Sequence, residues 1–363
     1  MKVLQVINSL AAGGAEKLIL DTVPKLNDGE MTCDVALLDN TAYSFRIQLE
    51  ETQSCQIHTL AKGSVYSPKH IFELKKLFKK YDVIHVHLFP GLYWAALAKW
   101  LSRSNIRMVF TEHNTSNRRR DTLLKWVDRW MYKKYNKIVT IAEEVEQNLK
   151  AHLKESASKF IRIPNGVDLE KMLNTIPMSK SEMNIHESHR VIIQVSSFTE
   201  QKDQATLIKA LPNIKEPVIL LLIGEGPKME ECKLLATHLQ CDDKVHFLGA
   251  RYDVPALLKM ADVVVLSSHF EGLSLSSIEG MASGKPFVAS AVPGLKSVVE
   301  GAGLLFQEGN EQDLAQIINT LLSDSEYSQK VADSCQARAA EYDIALMVQK
   351  LKTLYQTIWE NRN

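Results

Sequence analysis

Short runs of β-branched residues alternate with helical patterns along this chain, and the alternation occurs twice. In the first series, 3–7, 33–38, 83–87, 108–111 and 137–141 read as strands, with helices at 15–26, 69–80 and 123–135. The second series has strands at 191–196, 218–223, 245–248, 263–266 and 286–290. Its helices fall at 203–211, 229–239, 254–259, 275–283 and 311–323. Strands alternating with helices predict parallel sheets covered on both faces, because parallel neighbours need a crossover connection. Two series predict two Rossmann-like domains, and 363 residues suit two cores better than one. The turn-rich Ile163-Pro-Asn-Gly-Val-Asp168 reads as the linker. The expected domains are 1–168 and 169–344. A long amphipathic segment, 345–359, is expected to cross back with the chain's end, so that 345–363 packs on the first domain.

Composition narrows the class. Apolar residues make up 45% of the chain and charged residues 24%, as in soluble globular proteins. The formal net charge is zero, and no nucleic-acid-binding module is evident, which argues against a nucleic-acid partner. Five cysteines without a C-x-x-C read as reduced thiols of a cytosolic protein. The N-terminus has no signal-type apolar region, and no run is long enough to span a bilayer. The expected location is therefore cytoplasmic.

Ligands of open parallel sheets bind beyond the carboxyl ends of the strands, so the residues there are the candidates. Asn8-Ser-Leu-Ala-Ala-Gly13-Gly14-Ala15-Glu16 joins the first strand to a helix. Paired glycines admit a phosphate close to backbone, and a helix N-terminus supplies N–H donors. The plain alternative is a tight turn, and the G-x-G-x-x-G pattern is absent. His85 and His87 share a strand face, but zinc would need a third ligand that the spacing does not offer. Thr111-Glu112-His113-Asn114 puts consecutive polar residues straight after an apolar run. In the second series, Ser196-Ser197 and Lys202 follow one strand, Gly224-Glu-Gly-Pro227 the next, and Arg251 a third. Glu271-Gly-Leu-Ser-Leu-Ser-Ser-Ile-Glu279 follows 263–266, with the first carboxylate in a Gly/Ser loop and the second on the helix it opens.

This set resembles the family-4 retaining glycosyltransferases of GT-B fold, also called glycosyl transferases group 1, of the bacterial polysaccharide-biosynthesis type. The likeness covers nearly the whole chain. It implies an α/β fold of two facing Rossmann-like domains with a cleft between them and a C-terminal crossover helix. The first domain would bind the acceptor and the second a nucleotide sugar, with UDP the expected nucleotide. By the same resemblance, Glu271 contacts the donor sugar and Glu279 the ribose. Lys202 neutralises the leaving diphosphate, His113 faces the reacting sugar, and Gly13 and Gly14 lie under the donor phosphate. Gly224, Gly272, Leu273 and Ser274 complete the donor site, and His87, Glu112 and Asn114 fall on the acceptor side.

One position departs from the pattern. Ser197 stands where the family has an arginine that shares the diphosphate charge with the lysine. Arg251 and then Lys228 are the expected substitutes. The chain contains no D-x-D, so helix N-termini and Lys202 are expected to stabilise the leaving group without metal or other cofactor. A hydrolase reading of the two glutamates does not suit their spacing. On one helix they would stand ~12 Å apart at 1.5 Å per residue, against about 5–9.5 Å for glycosidase pairs.

The segment 118–137 carries eight basic and two acidic residues interleaved with Trp126, Trp130 and Tyr132. That composition suits an anionic membrane surface; the alternative is a solvated helix whose aromatics pack inward. A peripheral position would suit a lipid-linked or oligosaccharide acceptor, as in capsule or O-antigen assembly. Two other functions stay open: a nucleotide-sugar-binding relative without catalysis, motivated by Ser197, and a sugar-nucleotide epimerase of the same architecture.

Overall fold

The computed structural model describes residues 1–60, 63–113 and 125–361. The chain divides into two compact units: 1–166 together with 344–363, and 167–343.

Among the described residues, the first unit holds a seven-stranded parallel sheet. Its strands are β1 (Lys2–Ile7), β2 (Thr32–Leu37), β3 (Ile57–Thr59), β4 (Val83–His87), β5 (Arg107–Glu112), β6 (Lys137–Thr140) and β7 (Phe160–Arg162), in the order β3-β2-β1-β4-β5-β6-β7. The second unit holds six parallel strands: β8 (Arg190–Val195), β9 (Val218–Ile223), β10 (Val245–Phe247), β11 (Val263–Leu266), β12 (Phe287–Ser290) and β13 (Leu304–Phe306). Their order is β10-β9-β8-β11-β12-β13. Both orders reverse once, between β1 and β4 and between β8 and β11. Those are the switch points at which doubly wound sheets open a crevice.

Why these segments form central strands is plain from their residues. Val218–Ile223 reads VILLLI, and all six side chains are buried. A strand covered on both faces has no solvent side for polar residues to occupy. The core of the first unit gathers Leu4, Val6, Ile84, Val86, Phe110 and Ile138 from four neighbouring strands. Helices absent from the sequence reading fill in the covers: Gly91–Ser102, Glu143–Leu153 and Ser325–Ala339. The strands Ile57–Thr59, Phe160–Arg162 and Leu304–Phe306 were likewise not expected.

The final helix, Ile344–Glu360, packs against Gly14–Leu26 in the first unit. Its Tyr355 is fully buried, and its Lys352 pairs with Asp28 at 2.5 Å. All five cysteines are free thiols, and four are buried.

Candidate functional site

In the second unit the switch-point loops are bound to each other. Ser267, at the end of β11, donates its hydroxyl to Gln194 Oε1 at 2.9 Å and lies 2.7 Å from the Asp203 carbonyl. The Gln194 amide donates to the Lys202 carbonyl at 3.0 Å. Asp203 takes a left-handed conformation, with φ of 42°, and caps the helix Gln204–Ala210. The Lys202 backbone is thus held from two sides, and its ammonium forms an ion pair with Glu271 Oε1. Ser268 donates to the same oxygen at 2.7 Å. Glu271 is 7% exposed and sits in the loop; Glu279, also 7% exposed, sits on the helix Leu275–Ala282. The Ser274 side chain does not cap that helix, so its first backbone N–H groups are not bound by it. Gly272 and Ser274 are partly exposed, whereas Leu273 is buried.

Glycine is required at 224 by contact and conformation together. Its φ is 134°, and a Cβ there would lie 2.1 Å from the Ser196 carbonyl oxygen. This close approach stacks the loop after β9 on the loop after β8. Ser197 lies on the latter loop and is exposed; its carbonyl accepts from the Gln204 amide at 3.0 Å.

The two cations expected to substitute for an arginine at 197 are already engaged. Arg251 forks onto Asp253, with contacts of 2.8 and 2.5 Å. Lys228 lies between Glu200 at 2.9 Å and Glu231 at 2.8 Å. Each acidic partner is a near neighbour in the chain or on the adjoining loop, which the expectation overlooked.

The first unit differs from expectation in two places. Gly13 caps the helix Gly14–Leu26 in extended backbone. The space beside it is taken by the Glu16 carboxylate, which would lie 2.3 Å from a Cβ at Gly13. A glutamate three residues into a helix folds back in this way to meet the exposed N–H groups. Burial raises its carboxyl above the usual range. Second, two residues expected on the acceptor side are interior. His87 is buried behind His113, its Nδ1 3.1 Å from His113 Nε2. Glu112 is buried and accepts the Tyr132 hydroxyl at 2.7 Å. Both end a strand whose final side chain turns toward packed elements. His113 itself is partly exposed, and Asn114 lies outside the described residues.

Sequence reasoning missed the partners of the histidines. His85 Nδ1 lies 2.5 Å from the Tyr355 hydroxyl, and its Nε2 2.6 Å from Thr111 Oγ1. His87 Nε2 lies 2.8 Å from Gln5 Oε1. The rings of His85 and His87 stack at 4.3 Å. Burial pushes the His113 imidazole down to about 4 and that of His85 to about 3, His113 adding to the latter effect. The alternation at 85 and 87 signalled the shared face; nothing in the sequence pointed to Tyr355, 270 residues away. Among the described residues no three His, Cys, Asp or Glu side chains are grouped to hold a metal ion.

The basic segment divides. Arg118, Arg119 and Arg120 lie outside the described residues. On the helix Lys125–Tyr132, Trp126 is 76% exposed, Trp130 is partly buried and Tyr132 is fully buried. Trp100, exposed on Gly91–Ser102, meets Trp130 edge to face at 5.5 Å. Lys134 lies over the Trp130 ring at 4.2 Å. No described helix is long and apolar enough to cross a membrane.

Two family models match in succession, Glycosyltransferase Family 4 over residues 12–171 and Glycosyl transferases group 1 over residues 176–338. The N-acetyl-alpha-D-glucosaminyl L-malate synthase of Bacillus anthracis is 27% identical over 289 residues, 77% of this chain and 74% of that protein. The UDP-Gal:alpha-D-GlcNAc-diphosphoundecaprenol alpha-1,3-galactosyltransferase of Escherichia coli is 26% identical over 79% of each chain. The crystal structure of Anabaena Alr3699/HepE in complex with UDP-glucose superposes with a TM-score of 0.85, covering 98% of this chain and 100% of that one at 23% identity. With both sheets and both family models accounted for, the chain is a glycosyltransferase of GT-B fold and belongs to the family-4, group 1 glycosyltransferases.

Proposed function

We propose that the chain moves a sugar from a UDP-sugar donor to a lipid-linked or saccharide acceptor, with retention at the anomeric carbon and without metal, in surface polysaccharide biosynthesis. The observation that carries this reading is the Lys202–Glu271 ion pair at the β8–β11 switch point, with Glu279 on the adjoining helix. Lys202 is the one group of that cluster able to neutralise a departing diphosphate. The N–H groups of Gly272, Leu273 and Ser274 add the partial positive charge of a helix start. Glu271 takes a hydroxyl of the donor sugar and Glu279 the ribose. By the family resemblance, His113 serves the reacting sugar. The Escherichia coli relative's name gives it a UDP-Gal donor and a diphosphoundecaprenol acceptor. Anabaena HepE has been crystallised with UDP-glucose. Both support a UDP sugar here, and the former also supports a lipid diphosphate acceptor.

A lipid-linked acceptor requires access to a membrane surface. The exposed Trp126, Trp100 and Leu101, with Arg129 and Lys134 over the rings of Trp126 and Trp130, suit the interface of an anionic leaflet. The enzyme would then act as a peripheral protein on the cytoplasmic face.

The test is a screen of UDP-sugars by thermal shift, since a ligand of the native state raises its melting temperature. Incubation with the best donor and polyprenyl-diphosphate saccharides follows, in excess EDTA. The anomeric configuration of the product is read by NMR. Inversion would reject retention, and activity lost to EDTA but restored by Mg²⁺ would reject the metal-free mechanism. Ser197 favours one competing reading, a nucleotide-sugar binder without catalysis; binding without transfer to any acceptor would select it.

A further inference from the structure

One face of the first sheet carries a continuous polar chain. Gln5, His85, His87, Thr111 and Tyr355 are all buried in it, and it ends at the partly exposed His113. The register explains the assembly. Gln5 and His85 are partners across β1 and β4, and His87 and Thr111 across β4 and β5. Residues two apart on a strand share a face, so 85 and 87 align, as do 111 and 113.

Donors and acceptors can be followed through the chain. The Gln5 amide nitrogen lies 3.0 Å from the Tyr355 hydroxyl and 3.6 Å from Cys33 Sγ, both able to accept. Its amide oxygen lies 2.8 Å from His87 Nε2. An amide oxygen only accepts, so His87 carries its proton on Nε2. Burial holds His87 neutral, so its Nδ1 is a lone pair. His113 Nε2, 3.1 Å away, then donates to it. On the other branch Tyr355 donates to His85 Nδ1, and His85 Nε2–H donates to Thr111 Oγ1. Each interior imidazole nitrogen thereby has a partner of the right sense. The order leaves His113 Nδ1 as a lone pair on the one partly exposed member.

We propose that Gln5 and His87 are positioning residues that hold His113 in the Nε2–H tautomer, so that its Nδ1 accepts a hydrogen bond from a substrate hydroxyl. The inference rests on the reading of His113 as part of the transfer site. Turning the Gln5 amide over would reverse every bond in the chain. His113 would then present Nδ1–H, a donor suited to a substrate oxygen. The sense of one buried amide therefore selects what the active site offers a sugar.

Two-bond ¹⁵N–¹H correlation spectra of protein labelled in its histidines decide the matter at neutral pH. The His113 signals are identified by their loss in His113→Phe. The wild type is expected to show the Nε2–H tautomer. Gln5→Leu should give a mixture of tautomers and lower kcat by about 10–100-fold, by analogy with the groups that orient metal-bound histidines, with donor KM little changed. Gln5→Glu still accepts from His87 and should restore both tautomer and most of kcat. An Nδ1–H tautomer in the wild type overturns the proposal, as does an unchanged tautomer in folded Gln5→Leu. Should Gln5→Leu not fold, the wild-type spectrum alone decides. The tautomer is read without turnover: transfer failing with every acceptor counts against the transferase reading, and the spectrum still judges the hydrogen-bond order.

Discussion

Lys202 and Glu271 neutralise each other, so in the proposed reaction a leaving diphosphate would compete with Glu271 for the ammonium. Lys202→Ala and Glu271→Ala are each expected to lower kcat by roughly 10²–10³, as for loss of one preorganised charge. The double variant should cost far less than the product, since each partner acts through the other. Steady-state rates check this, and near-wild-type kcat in both single variants would remove the pair from the mechanism. Arg251 is a weaker candidate than its sequence position implied, because Asp253 already occupies both arms of its fork. Arg251→Ala is expected to change the UDP Kd by less than about tenfold, in line with the ≤1 kcal/mol typical of exposed pairs. Calorimetric titration settles this; a larger loss would restore Arg251 as the missing second cation. These residues show what the sequence could and could not reveal. Glu271 stood out in the sequence as a carboxylate in a Gly/Ser loop after a strand, Glu279 by its spacing on the helix that this loop opens, and Lys202 by its place after a strand. The engagement of Arg251, Lys228 and the Gly13 cradle by carboxylates was not, since side-chain pairing leaves no periodic mark.

Among elements, those with a long pattern were legible and those without one were not. The central strands β1, β4, β8 and β9 are built mainly from buried β-branched or aliphatic residues, interrupted by a few polar ones such as Gln5, His85 and Gln194, and apolar runs announce strands. Three-residue edge strands such as Ile57–Thr59 contain no complete period. The helix Gly91–Ser102 was overlooked because it is apolar on most sides, the exposed Trp100 and Leu101 included, and so shows little amphipathic period. On the helix Lys125–Tyr132 the aromatic residues divide between solvent and core, which separates function from packing. Trp126→Ala and Trp100→Ala together should therefore weaken flotation with anionic vesicles while leaving the melting temperature nearly unchanged. Tyr132→Ala should instead destabilise, by about 3–5 kcal/mol as for other buried aromatics. Equal flotation of wild type and the double tryptophan variant would assign this helix to structure alone.

At the scale of the molecule, the buried histidines link stability to acidity. Folding lowers His113 to about 4 and His85 to about 3, from an ordinary value near 6.5. Between those limits the unfolded chain binds protons that the folded one refuses, so stability falls as pH drops. The urea midpoint is expected to be highest above about pH 6.5 and to decline steadily toward pH 4. A midpoint that rose on acidification would contradict the buried neutral state. Removal of 344–360 should destabilise the first unit selectively, because Tyr355 and Lys352 leave Gln5, His85 and Asp28 without these partners. Limited proteolysis with fragment mapping would locate the loosened unit.

The first unit is assembled from two stretches of chain that the whole second unit separates. On a ribosome this imposes a schedule. At about 5–20 residues per second, the helix that closes the first sheet emerges on the order of 10–35 s after the sheet itself. During that interval the nascent sheet holds Gln5 and His85 without Tyr355, and the groove awaiting the helix is open to water, chaperones and neighbouring chains. The second unit, continuous in sequence, has no such wait, so a cell making this enzyme completes the later half first.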